Sequence, residues 1–204
     1  MILQETARSG HSVLRFDNRL LASSIDPVRE AQSWAKKVAA GVRKGDVCVI
    51  GAGCGYHIDE LQKLLPKTRI VVIEASSEVA EWVLSKFTHF KKENFLVGSD
   101  PSADLEAWCD TLFGVSQAFL HGATTQIHTE WSHRMHRFVV ARDRNSFLTQ
   151  VRARPELLAV LDPKKIELMP DEPVSIKTLG SLFQATSIDS QERRLWRILE
   201  ELVT

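Results

Sequence analysis

Three things are scarce in this sequence, and each scarcity excludes a class of protein. Cysteine occurs three times in 204 residues, at Cys48, Cys54 and Cys109. That is neither an even set nor a metal-type pair, so it provides neither a disulfide framework nor a cysteine-ligated zinc site. Net charge is absent: 26 basic side chains balance 26 acidic ones, and no bulk field draws the chain to nucleic acid or to an anionic membrane. Long apolar runs are missing too, and residues 1–10 alternate polar and apolar side chains without the continuous apolar stretch of a signal peptide. The expected setting is a reducing one, the cytoplasm, with no membrane contact.

What remains is an ordinary globular composition, 44% hydrophobic and 25% charged, on a chain long enough for one α/β domain with short extensions. No internal repeat or low-complexity tract interrupts it. Residues 12–16 and 19–23 read as two strands of a hairpin turned by Asp17-Asn18. Asp26 is placed to cap a helix with Pro27 at its first position, and Val28, Ala31, Ala35, Val38 and Val42 mark one apolar face up to a stop near Gly45.

From residue 46 the pattern alternates. Apolar strands are expected at 46–50, 70–73, 95–97 and 118–120, with helices at about 56–65, from Ser77 to Phe87 and over 105–113 between them. Alternation of this kind predicts a Rossmann-like, mostly parallel sheet with helices on both faces. Residues 129–161 read as helix in two pieces broken around Asn145, 165–169 as a last strand, and Asp189 with Glu192 as the cap of a C-terminal amphipathic helix. The expected organisation is therefore a hairpin extension over 1–25, the Rossmann-like domain over 26–169 and a helical extension over 170–204.

The chemistry concentrates at Gly51-Ala52-Gly53-Cys54-Gly55, between the first parallel strand and its helix. Glycines there let backbone approach a ligand closely, with helix N-terminal amides facing the same crevice. Glu74 ends the next strand, where an acidic side chain can accept hydrogen bonds from both hydroxyls of a ribose. Tyr56 stands where a dinucleotide fingerprint has its third glycine, which points away from nicotinamide and flavin cofactors.

Residues 46–100 resemble class I S-adenosylmethionine-dependent methyltransferases, which implies cofactor contacts from Gly51, Gly53, Gly55 and Glu74, and from Asp100 to an adenine. Val49 stands where those enzymes usually carry an acidic residue. A longer run, Leu20 to Ala31 with Ile50-Gly51-Ala52-Gly53-Cys54-Gly55-Tyr56-His57 and Val72-Ile73-Glu74, resembles the N-terminal Rossmann-like region of the motility-associated (Maf) flagellin glycosyltransferases. That likeness implies the fold, the turn with Tyr56-His57 attached, and a role beside a glycosylation or flagellar partner. The ligand expected from the two resemblances is S-adenosylmethionine or a nucleotide-sugar.

His57, just past the turn, and His121, at the carboxyl end of the fourth parallel strand, are the candidate general bases. Four of the seven histidines lie between positions 121 and 136, but their spacing follows no metal-ligand logic, and no metal is expected. Arginines over 134–154 with interleaved aromatics read as solvated helix faces rather than a nucleic-acid surface. The terminal helix offers a face for a protein partner or a second copy.

Two readings follow. A nucleoside-binding, group-transferring domain requires an open crevice beside Gly53 with the Glu74 carboxylate facing it. A non-catalytic interaction module has a purely structural turn, its crevice filled by Tyr56, His57 or a neighbouring loop.

Overall fold

A computed structural model of the chain describes residues 2–43, 45–100, 105–112 and 115–140. The Asp17-Asn18 turn forms between β2 (Ser12–Phe16) and β3 (Arg19–Leu20), with Asp17 at a φ of 50°, a conformation that Asp tolerates better than most residues. β3 is shorter than the expected 19–23 because Ser23 bends the chain away: its Oγ accepts from the amides of Ile25 and Asp26. A further strand, β1 (Ile2–Thr6), pairs antiparallel with β2 and places Ile2 opposite Phe16. The hairpin is thus part of a three-stranded sheet, ordered β1-β2-β3.

α1 (Pro27–Gly41) starts at the Asp26 cap, whose carboxylate accepts from the Arg29 amide at 3.0 Å, and it buries Ala31, Ala35 and Val38. It ends four residues before Gly45. The reason is tertiary: the Gln117 amide donates to the Gly41 carbonyl and accepts from the Arg43 amide, which satisfies groups that would otherwise continue the helix.

The alternating region is β4 (Asp46–Ile50), α2 (Tyr56–Leu64), β5 (Ile70–Glu74), α3 (Ser77–Lys86), β6 (Phe95–Val97), α4 (Leu105–Thr111), β7 (Val115–Leu120), α5 (Gly122–Ile127) and α6 (Thr129–Val140). Its four strands are parallel and ordered β6-β5-β4-β7. β7 begins earlier than 118 because polar Ser116-Gln117 hides its first half in the sequence. A register shift opposite Asp46 and Val47 accommodates that half.

Side-chain alternation divides the core in two. Val47 and Val49 of β4 and Ile70 and Val72 of β5 pack with Ala35, Leu61 and Val83 on one face, and the inner residues of the small sheet, Val13 and Leu14, join them. Cys48, Ile50, Val71 and Ile73 pack with Trp108, Met135 and Phe138 on the other. Helices therefore cover both faces, as a Rossmann-like α/β fold requires. Each fully buried Val or Ile contributes about 1.5–3 kcal/mol, so the two central strands are the stable platform for whatever their carboxyl ends carry.

The break near Asn145, the strand at 165–169, the 170–204 extension and its helix lie outside the described residues. Among the described residues no helix is long and apolar enough to cross a membrane.

Candidate functional site

The order β6-β5-β4-β7 places the first parallel strand inside the sheet, flanked on one side by its successor and on the other by the last strand. The order in which strands are added therefore reverses between the parallel neighbours β4 and β7, and the carboxyl ends of those strands form a switch point, where open α/β sheets bind ligands. Gly51 follows β4 and His121 follows β7, so the glycine turn and one of the two candidate bases meet there.

The turn is tight, and protein side chains fill it. Gly53 has a φ of +50°, and a Cβ placed on it would lie 2.5 Å from His121 Cε1. A Cβ on Gly51 would lie 2.5 Å from the Thr124 side chain. Phe87 and Val83 crowd Gly55, the N-cap of α2, in the same way. The glycines are needed for close approach, as the sequence indicates. What approaches is the protein's own α5 and α3 region.

Glu74 is turned inward. Its residue is 2% exposed, with Oε2 accepting from the Ala52 amide at 2.7 Å and Oε1 from the Ser76 amide at 3.0 Å. Burial raises its pKa, and the amides of Ser76, Ala52, Ala75 and Gly53 oppose that rise by favouring the carboxylate. A side chain so placed acts as a strut that ties the end of β5 to the turn after β4. Asp100, past the end of β6, is exposed and belongs to the same sheet edge.

His57 and His121 are brought together. Their rings stack with centroids 3.8 Å apart and planes 7° from parallel. Trp34 of α1 meets both edge-on, 5.0 Å from His57 and 6.5 Å from His121. His57 Nε2 donates to the Gly51 carbonyl at 3.1 Å, and His121 Nδ1 lies 3.1 Å from Thr124 Oγ1. Burial pushes both imidazoles down, His57 well below its usual range with His121 adding to the effect, and His121 to about 4. Both rings are neutral at physiological pH.

The other side chains of the turn join the small sheet to the domain. Cys54 Sγ accepts from the Leu14 amide at 3.1 Å, and burial pushes its thiol up to about 11. The Tyr56 hydroxyl donates to the Ser12 carbonyl at 2.8 Å. Lys86 bonds that carbonyl and the Tyr56 oxygen, and its ammonium sits 4.2 Å from the centre of the Tyr56 ring. Burial raises the phenol to about 12 and lowers Lys86.

A cleft of ≈110 Å³ remains beside the stacked rings, between α1 and the start of α5, lined among others by Glu30, Trp34, Tyr56, His57 and His121. It is smaller than the roughly 300–1,000 Å³ of pockets that enclose drug-sized ligands. Among the described residues no group of three or more His, Cys, Asp or Glu side chains is arranged to hold a metal ion.

Sequence reasoning missed Thr124 and Lys86. α5 is hard to see because Gly122 and two threonines open it, residues of low helix propensity. Lys86 gives no signal at all, since its partners are 30 and 74 positions away. Comparison of the chain with protein-family models, with curated proteins and with solved structures finds no match, so the case for function rests on this geometry.

Proposed function

We propose that this chain is a non-catalytic interaction module built on a Rossmann-like domain, in which the glycine turn is structural. One observation carries the reading: His121 occupies the space beside Gly53 while the Glu74 carboxylate is spent on the amides of Ala52 and Ser76. Tyr56 and His57 are committed in the same way, to Ser12 and Gly51. The resemblance to the Maf N-terminal region supports a protein partner of the glycosylation or flagellar kind. Calorimetric titration with S-adenosylmethionine, S-adenosylhomocysteine and nucleotide-sugars tests it. No saturable heat is expected; saturable binding that Glu74→Ala abolishes without unfolding the chain overturns the reading.

A second reading, binding of a nucleoside-containing ligand for group transfer, is favoured by the cleft's place at the switch point with both imidazoles on its wall. It requires His121 to swing away from Gly53, because the cleft is too small for a nucleoside as it stands. In that reading the freed His121 is the base, and Asp100 contacts the adenine. Its signature is a ligand-dependent shift of the His121 ring resonances at concentrations that saturate binding.

A further inference from the structure

At the opposite, amino-terminal edge of the sheet lies a groove of ≈580 Å³, between the end of α2 and the segments leading into β5 and β6. This volume is within the range of small-molecule sites. Its apolar wall combines Ile58, Pro66, Ile70 and Val72 with two aromatic rings: Phe90 and Phe95 are half-buried, with ring centroids 6.1 Å apart, and Phe90 stacks on Phe87 at 5.1 Å.

The rim is basic. Lys67, Arg69, His89 and Lys91 line the groove against a single acid, Glu93. Arg69 is held by Asp46 at 2.8 Å and His89 by Asp59 at 3.0 Å. Lys67 and Lys91 make no ion pair among the described residues. The groove therefore combines two uncommitted cations with aromatic surface and the side-chain amides of Gln62 and Asn94.

We infer that this groove is a binding site for a small organic anion, one carboxylate, sulfonate or phosphate carried on a planar apolar body of one or two rings. The planar body lies against Phe90 and Phe95, and the anionic group sits between Lys67 and Lys91. An ammonium on a flexible stem serves here as an adjustable point charge, suited to any of these anions. The inference is independent of the glycine turn, which lies at the other edge of the sheet.

Anilinonaphthalene sulfonate is the test probe, with uncharged phenylnaphthylamine as its control, titrated by fluorescence into the full chain. Expected are saturable binding of one sulfonate per chain, weakening with added salt, and a loss of about tenfold in affinity in Lys67→Glu/Lys91→Glu. Both lysines are exposed, so circular dichroism melting of the variant should match the parent. Amide shifts on binding should centre on Thr68 and Asn94. Equal affinity for the uncharged control, an unaffected double variant, or shifts centred on the His121 cleft would each overturn the inference.

Discussion

The imidazoles of His57 and His121 stack face to face within 3.8 Å, and both are buried. Neither can take a proton without leaving a charge in a low-dielectric site beside its neighbour. Because the folded pKa values lie below the unfolded value near 6.5, the unfolded chain binds more protons between the two. Stability from this pair is complete above about pH 6.5 and is lost as pH falls toward 4. His121 alone should account for about 3 kcal/mol by pH 4. Urea melts from pH 7.5 to 4.5 check this, and His121→Gln should flatten the dependence.

Glu74→Gln changes little in size but replaces one acceptor oxygen with an NH₂ group. That group must then face the Ala52 or the Ser76 amide, donor against donor. A loss of about 1–3 kcal/mol is expected, read by chemical denaturation. If Glu74 instead waits for a ligand, the substitution leaves the empty protein's stability unchanged.

Gly53→Ala meets two separate obstacles, the left-handed backbone at φ +50° and the His121 ring. Removing the ring relieves only the second. In a double-mutant cycle with His121→Ala, the alanine at position 53 should cost less than in the parent, with a coupling of about 1–3 kcal/mol. Additive losses would mean that the ring does not sit against the turn in solution.

Tyr56→Phe keeps the ring under Lys86 and deletes the bond to the Ser12 carbonyl. A loss of about 1 kcal/mol is expected. Amide exchange should quicken first in β2, where the small sheet is tied to the turn.

The platform was legible in the sequence because it follows from local rules. Asp26-Pro27 announced α1, uninterrupted apolar runs gave β4 and β5 within a residue, and the glycines marked a turn of close approach. β1 was not legible, since its alternating residues are mostly exposed and it exists only as a partner of β2.

Glycine spacing and an acid at the end of the next strand are local features, and the sequence by itself determined both, with the α/β alternation; the strand order that makes a switch point of their position came from the tertiary structure. Which group fills the space beside Gly53, and which donors meet Glu74, depends on pairing between positions 121 and 53 and positions 74 and 52. Such contacts are created only when β7 docks beside β4 and β5 brings its end to the turn. The residues that read as an open nucleoside site are thereby packed against one another, His121 on Gly53, Thr124 on Gly51 and the Glu74 carboxylate on the amides of Ala52 and Ser76, because a buried carboxylate is stable only where donors meet it.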